Sequence, residues 1–100
     1  MQTSLMATYA PSDIAFEHGA GVYLFDSKGK KYLDFSAGVA VLSLGHCHPY
    51  LVDVLIKQAK NLWHTSNLFH ISEQEKLAQR LAQNSFADRV FFTNSGAESV

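Results

Sequence analysis

The stretch Arg89-Val90-Phe91-Phe92-Thr93-Asn94-Ser95-Gly96-Ala97-Glu98 decides the fold class of this chain. Its first half, residues 89–93, is continuously apolar at its centre, which is typical of a strand that is covered on both faces of a sheet. Ser95 and Glu98 have the spacing of a capping box, so the same stretch also predicts the start of a helix. A buried strand that leads through a glycine turn into a helix indicates an α/β fold.

The turn between that strand and that helix is a candidate anion site. The backbone N–H groups of Gly96, Ala97 and Glu98 have no helical partner there, and the helix dipole adds partial positive charge. Gly96 lets the backbone approach a ligand that a Cβ would exclude. Because capping boxes also open many structural helices, these residues by themselves leave a bound phosphate and a plain helix start both open.

Two helices and a hairpin are predicted upstream of this stretch. Ser72 and Glu75 form another capping box ahead of a helix that is expected to end near Asn84. Pro49 suits the first position of an earlier helix. The apolar residues of each helix recur at the spacing of one buried face: Val52, Leu55, Ile56, Ala59 and Leu62 in the first, and Leu77, Ala78, Leu81 and Ala82 in the second.

The hairpin is predicted from two short runs of aromatic and branched residues, 22–25 and 31–35. Between them Asp26 starts the turn and Gly29 supplies its positive-φ position. Residues 1–18 are mixed in composition, and we expect them to form a weakly structured lead-in.

Residues 45–49, Gly-His-Cys-His-Pro, raise a metal hypothesis and a nucleophile hypothesis. Zinc ligands usually lie two or more residues apart, and three adjacent residues cannot surround one tetrahedral ion. Cys47 has neighbouring histidines, but single cysteines are mostly unreactive. A structural turn before the helix at Pro49 is the favoured interpretation, and we predict no metal site and no catalytic residue in this chain.

The loop predicted at residues 63–71 is rich in aromatic and hydrogen-bonding side chains. Trp63 and Phe69, together with Tyr32 of the hairpin, are suited to lining a ligand, but aromatic residues at the ends of elements more often belong to a core or an interface. Residues 65–67, Thr-Ser-Asn, are equally suited to bonding their own backbone and to contacting a substrate.

Composition excludes several classes of protein. The 100 residues are 47% hydrophobic and 17% charged, which excludes a disordered or fibrous chain. A formal net charge of -1 provides no basic face for a nucleic-acid partner. No apolar run approaches the ~20 residues that span a bilayer, so no membrane partner is expected. The single cysteine, Cys47, and a start without signal-peptide character predict a cytoplasmic location.

An ordered set of short motifs resembles the N-terminal quarter of class III pyridoxal-phosphate-dependent aminotransferases, in their acetylornithine branch. The ornithine δ-branch usually has an aromatic residue near Val39, which this sequence lacks. The motifs are Tyr9-Ala10-Pro11, the run from Gly21 to Asp26 with Gly29, Tyr32 and Asp34-Phe35, Gly38-Val39-Ala40-Val41, Leu44-Gly45-His46-Cys47-His48-Pro49, Leu62-Trp63-His64-Thr65-Ser66-Asn67, and Phe92-Thr93-Asn94-Ser95-Gly96-Ala97-Glu98.

The resemblance implies the N-terminal part of a fold-type-I transferase: a hairpin, two helices and the first strand of a large-domain sheet. It divides the chain into a small-domain segment, residues 1–70, and the start of the cofactor-binding domain, residues 71–100. The implied cofactor is pyridoxal 5'-phosphate, with its phosphate held by Ser95, Gly96 and Ala97. A homodimer is also implied, with active sites at the subunit boundary and segments such as this one near the substrate entrance.

The implied reaction transfers an amino group from N-acetylornithine, or a related acylated diamino acid, to 2-oxoglutarate in arginine and lysine biosynthesis. The lysine that links the cofactor lies beyond Val100 in the family, as does the arginine for the substrate carboxylate. The sequence stops just after the start of a predicted helix, so we expect a C-terminal truncation and no activity from these residues alone.

Two alternatives stay open, and the preferred acyl group is not decided by these residues. One is a non-catalytic anion-binding or dimerisation module. The other is a fragment of a different class III ω-aminotransferase, one that acts on ornithine or succinylornithine.

Overall fold

The computed structural model describes residues 4–100, which form a small α/β arrangement. The described chain divides into two compact units, one that ends at Asn61 and a second over Leu62–Val100. No helix in residues 4–100 combines the length and the hydropathy that crossing a bilayer requires. The elements are β1 (Phe16–Ala20), β2 (Tyr23–Asp26), β3 (Lys31–Leu33), α1 (Ala37–Ala40), α2 (Pro49–Ala59), α3 (Ser72–Gln83) and α4 (Gly96–Ser99).

The first unit contains a three-stranded antiparallel sheet in the order β1-β2-β3, and its second and third strands are the predicted hairpin. Asp26 starts the turn by accepting hydrogen bonds at Oδ1 from the N–H groups of Lys28 and Lys30, both at 2.9 Å. Gly29 has the positive φ, 76°, that the turn needs. The Asp26 carboxylate and the positive φ of Gly29 therefore form the turn that the local sequence predicts.

The prediction of a weakly structured lead-in over residues 1–18 is wrong at its end, because β1 begins at Phe16. This strand pairs with β2 from Phe16 opposite Asp26 to Ala20 opposite Tyr23, with a register shift between Phe16 and His18. Its sequence, FEHGA, lacks the alternation of polar and apolar residues that marks a strand. Backbone pairing to β2 creates β1, and that pairing is not readable from local composition. Residues 1–3 of the predicted lead-in lie outside the described residues.

Element α1 is a left-handed turn, with φ values of 47°, 60°, 61° and 64° from Ala37 to Ala40. Only glycine adopts this conformation without cost, and an L-residue with a Cβ loses roughly 1–2 kcal/mol there. The branched side chain of Val39 makes its position especially unfavourable. The turn therefore stores strain that surrounding contacts must offset.

The two predicted longer helices are confirmed, and one of their predicted caps is wrong. α2 begins with Pro49 at its first position, and α3 ends at Gln83 with Asn84 as the C-terminal cap. The predicted capping box at Ser72 does not form, because Ile71 occupies the cap position. The Ser72 hydroxyl bonds the carboxylate of Glu73 instead, at 2.7 Å.

The predicted strand at residues 89–93 does not form in this structure. The three strands among the described residues pair only with one another, so this segment has no strand partner. A parallel strand needs a neighbour for its backbone hydrogen bonds, and without one its apolar residues stay uncovered. Phe91, which the pattern places inside a sheet, is 89% exposed.

The apolar faces of the helices are likewise uncovered. No hydrophobic side chain in residues 4–100 is fully buried, and the predicted inner faces of both helices remain half exposed, as Leu55 of α2 and Leu77 of α3 show. The stripe of the first helix is also shorter than predicted, since the helix ends at Ala59, before Leu62. These faces have the pattern of surfaces that pack against further protein.

Candidate functional site

The predicted anion site is a turn of helix at the end of the second unit. Ser95 lies in extended backbone and caps α4, where its Oγ accepts the N–H of Glu98 at 3.2 Å. The N–H groups of Gly96 and Ala97 lie at the start of the helix, where no helical carbonyl reaches them. In the described part of the chain, neither of these two N–H groups has a hydrogen-bond partner.

Glu98 decides which groups of this turn are available to a ligand. The Ser95 hydroxyl donates its single proton to Oε2 of Glu98 at 2.8 Å, so it has no proton left for an anion. A Cβ built on Gly96 would meet nothing within 4 Å. The backbone N–H groups of Gly96 and Ala97 are therefore the donors of this turn that remain available, and they can be approached from open space.

An open groove of about 970 Å³ lies next to this turn in the second unit. Asn67 and His64 of the loop before α3 line it together with Phe92 and Asn94, the residue directly before Ser95. Arg89 adds a cationic side chain to the same groove. The donor-rich loop and the segment before the glycine turn therefore line the same groove, although the sequence indicated them separately.

A second polar cluster lies in the first unit, where the side chains of Asp34 and His46 form a hydrogen bond. Nε2 of His46 is 2.7 Å from Oδ2 of Asp34, and their side chains are 16% and 5% exposed. Because an ionised carboxylate only accepts hydrogen bonds, Nε2 carries the proton. The other oxygen, Oδ1, accepts from the Ser36 N–H at 2.9 Å, the Ser36 hydroxyl at 2.8 Å and the Ala37 N–H at 3.0 Å.

These bonds stabilise the ionised form of the carboxylate. The hydrogen bond from His46 lowers the pKa of Asp34 most, and those from the Ser36 hydroxyl and the Ala37 N–H lower it further. Partial removal of water opposes them, and the net result is a pKa of about 2 against an ordinary value of 3.8. Asp34 is therefore a carboxylate at any physiological pH.

The backbone around His46 is held to the sheet as well. Gly21 and His46 form an antiparallel bridge with N–H to O distances of 3.0 and 2.8 Å. Gly45 has a φ of 82°, and a Cβ built there would lie 2.8 Å from the carbonyl oxygen of Gly21. Glycine is required at this position for both reasons, conformation and close approach.

The Gly-His-Cys-His-Pro segment forms a turn before α2, which is the interpretation that the sequence favoured. His46 faces Asp34, the thiol of Cys47 is free and exposed, and His48 precedes α2 with its Nδ1 buried and without a hydrogen-bond partner. Within residues 4–100, no group of three or more His, Cys, Asp or Glu side chains is placed to hold a metal ion.

Comparison with known proteins decides the family. The sequence model of the family described as aminotransferase class III matches residues 6–100. The chain belongs to the class III aminotransferases. Two similar curated members are the acetylornithine aminotransferases of Agrobacterium fabrum, 56% identical over 96 residues, and of Mesorhizobium japonicum, 54% identical over 98 residues. These matches cover 96% and 98% of this chain but 24% and 25% of the relatives, so the chain spans about a quarter of their length.

Solved structures of class III aminotransferases have the same fold as this segment. The N-acetylornithine aminotransferase of Stenotrophomonas maltophilia is 46% identical with a TM-score of 0.82, over 88% of this chain and 24% of that one. The ornithine aminotransferase of Toxoplasma gondii is 34% identical with a TM-score of 0.89, over 96% of this chain and 23% of that one. The fold class expected from the sequence is therefore confirmed.

The Asp34–His46 pair is the part of this aminotransferase segment that residue patterns did not reveal. Both residues belong to the quoted motifs, but they lie 12 positions apart and share no periodicity. One local signal was present, because an aspartate followed two residues later by a serine favours side-chain to backbone hydrogen bonds. Nothing local identifies the histidine as its partner.

Proposed function

We propose that this chain is the N-terminal part of a pyridoxal-phosphate-dependent acetylornithine aminotransferase. The enzyme transfers an amino group from N-acetylornithine, or a related acylated diamino acid, to 2-oxoglutarate in arginine and lysine biosynthesis. The observation that carries the proposal is the 56% and 54% identity to two curated relatives that are named for acetylornithine. The absence of an aromatic residue near Val39, where the ornithine branch usually has one, supports the same choice.

Ser95, Gly96 and Ala97 fit the phosphate of the proposed cofactor. Two backbone N–H groups without partners, an open approach over Gly96 and the partial positive charge of a helix start suit a phosphate group. The Ser95 hydroxyl stays on Glu98 and shapes the turn. When bound, pyridoxal phosphate supplies the electron sink that amino-group transfer requires. We place the large, cofactor-binding domain from residue 71 onward and the small-domain segment before it.

The proposal includes a homodimer in the cytoplasm. Support for the dimer comes from the uncovered apolar faces of α2 and α3, since half-exposed hydrophobic stripes are typical of helices that pack against further protein. The free, exposed thiol of Cys47 suits a reducing compartment. The substrates are a small amino acid and a 2-oxo acid.

The test is amino transfer by the complete gene product loaded with pyridoxal phosphate. Glutamate formation from 2-oxoglutarate is measured with N-acetylornithine, succinylornithine and ornithine as amino donors. We expect kcat/KM for N-acetylornithine to exceed that for ornithine at least tenfold. A preference for ornithine would assign the chain to the ornithine branch. A complete gene product that binds no pyridoxal phosphate would favour the non-catalytic module instead.

A further inference from the structure

The carbonyl of Ser95 is held by two hydroxyl groups, one from each side of the glycine turn. The hydroxyl of Thr93, two residues before it, lies 3.2 Å from this oxygen, and the hydroxyl of Ser99, four residues after it, lies 3.0 Å away. The two hydroxyls also bond each other. The segment before the turn and the first turn of α4 therefore meet at one carbonyl oxygen.

Two hydroxyl protons serve these three contacts. Because each hydroxyl has one proton, one of the two donates to the other, and the second donates to the Ser95 carbonyl. The order can be reversed, since both oxygens lie within hydrogen-bond distance of the carbonyl and of each other. Either hydroxyl alone is therefore sufficient to hold the carbonyl, and only the loss of both releases it.

The Ser95 carbonyl belongs to the same peptide unit as the N–H of Gly96. No peptide bond in residues 4–100 is cis, and in a planar trans peptide the C=O and the N–H point in opposite directions. Holding the carbonyl therefore fixes the direction of the Gly96 N–H, one of the two donors that the turn leaves available. Gly96 itself adds little restraint, because glycine has the widest range of backbone conformations.

We propose that Thr93 and Ser99 are positioning residues that direct the Gly96 N–H toward the phosphate of the cofactor. This inference rests on the proposed function. Neither hydroxyl contacts the phosphate, because both lie on the carbonyl side of the peptide, opposite to the N–H. They act through the Ser95–Gly96 peptide, whose N–H is held in place before the phosphate arrives. A donor that is held in this way loses less conformational freedom on binding.

The test measures the binding of pyridoxal phosphate, and of pyridoxal, which lacks the phosphate, to the complete gene product. Thr93→Val/Ser99→Ala removes both hydroxyls, whereas Thr93→Ser/Ser99→Ala keeps the hydroxyl at position 93. Ser85→Ala is the matched control, because the Ser85 hydroxyl also makes an exposed hydrogen bond in the second unit, to the N–H of Ala87 at 3.2 Å, but in a different turn. Circular dichroism checks that each variant folds.

We expect Thr93→Val/Ser99→Ala to raise the Kd for pyridoxal phosphate about threefold to tenfold, the equivalent of one hydrogen bond, and to leave the Kd for pyridoxal unchanged. Thr93→Val and Ser99→Ala alone should each have a much smaller effect, since the remaining hydroxyl still donates to the carbonyl. Thr93→Ser/Ser99→Ala should bind pyridoxal phosphate as tightly as Ser99→Ala, which a packing role of the Thr93 methyl group would not allow. Ser85→Ala should change neither Kd.

An unchanged Kd for pyridoxal phosphate in a folded Thr93→Val/Ser99→Ala protein would overturn the proposal. Equal rises in the Kd for pyridoxal phosphate and for pyridoxal would also overturn it, because the hydroxyls would then support the structure and not the phosphate contact. If this variant does not fold, Thr93→Ala/Ser99→Ala, which introduces no branched side chain, carries the test. The proposed function fails in a distinguishable way, through absence of pyridoxal phosphate binding in the unsubstituted protein.

Discussion

The imidazole of His46 occupies the space that a side chain on Gly19 would need. A Cβ built on Gly19 would lie 2.6 Å from Cγ of the ring and 2.8 Å from its Nδ1. The rigid part of the histidine, rather than a flexible end, makes this approach. The glycine in β1 is therefore part of the seat that holds His46 against Asp34.

Gly19→Ala should destabilise the protein by about 1–3 kcal/mol, the usual cost of forcing extra volume into an occupied space. In a His46→Gly background both the ring and the Cβ, which would lie 2.7 Å from the added methyl group, are gone, and the same substitution should cost close to nothing. Chemical unfolding of the two single variants and the double variant measures this coupling. Additive losses would show that the two residues do not compete for space.

Gly45→Ala should cost more than Gly29→Ala, although both glycines have a positive φ of about 80°. An alanine at position 29 meets open space and loses only the conformational cost, about 1–2 kcal/mol. An alanine at position 45 also lies 2.8 Å from the backbone oxygen of Gly21, and it must break the bridge to His46. Paired unfolding measurements test this, and equal losses would contradict it.

Asp34 should contribute stability that acid removes. Its pKa of about 2 in the folded chain lies below its ordinary value of 3.8, so the unfolded chain binds more protons between these values. The contribution is complete above about pH 4 and is lost as the pH falls toward 2. We expect the difference in apparent Tm between the protein and Asp34→Asn to be constant from pH 7 to 5 and to narrow below pH 4.

Comparing the protein with Asp34→Asn also removes the contributions of other acidic residues to the pH dependence of Tm. The pKa of Asp26 is also lowered, since hydrogen bonds from Lys30, Lys28 and Tyr32 outweigh the effect of burial. Its contribution is present in both proteins and cancels in the difference. A difference in Tm that stays constant down to pH 3 would contradict the assignment to Asp34.

Gly96→Val should weaken pyridoxal phosphate binding to the complete gene product by roughly 10²–10⁴-fold. The branched side chain blocks the approach to the N–H groups of Gly96 and Ala97. Two charge-assisted bonds of ~1.5–3 kcal/mol each correspond to that loss at ~1.4 kcal/mol per tenfold. Folding should be preserved, because a Cβ at position 96 meets nothing within 4 Å. Equilibrium titration of the cofactor measures the effect.

Ser72→Ala is the control for that titration. Ser72 lies at the start of α3, but its hydroxyl bonds only the adjacent carboxylate of Glu73 rather than a helix N–H. Its loss should leave cofactor affinity unchanged. Near-normal cofactor affinity in a folded Gly96→Val protein would show that the turn at residues 95–97 is only a helix start and does not bind the phosphate.

Residues 1–100 expressed alone should associate. Phe86, Leu68 and Phe91 are almost completely exposed, and uncovered apolar surface of this kind drives self-association. On sizing chromatography we expect elution well ahead of an 11.1 kDa monomer. A sharp monomer peak with a cooperative melt would instead show that the segment folds as a module in its own right.

Several elements were predictable because the interactions that form them are local. The Asp26 carboxylate reaches N–H groups only two and four residues away, and Ser95 caps a helix through Glu98, three residues on. Pro49 begins α2 because its ring already has helical φ and lacks the N–H that would be unpaired there. The family, too, was recognisable from short motifs in their order along the chain.

Other elements depend on partners that local composition does not indicate, and local patterns misjudged them. Residues 89–93 have the composition of a buried strand, but no described strand lies beside them. β1 has an unremarkable composition and forms because β2 pairs with it. Ser72 has the spacing of a capping residue, but its hydroxyl finds the nearer carboxylate of Glu73.

The sequence by itself determined the hairpin, the longer helices, the glycine turn at residues 95–97 and membership of the class III aminotransferases. Only the tertiary structure revealed that Asp34 bonds His46, that Gly19 makes room for the ring, and that Ala37–Ala40 is left-handed. The physical reason is that a hydrogen bond or a steric contact between residues distant in sequence leaves no periodic trace in composition. Such contacts exist only once the backbone has brought the partners within a few ångströms of each other.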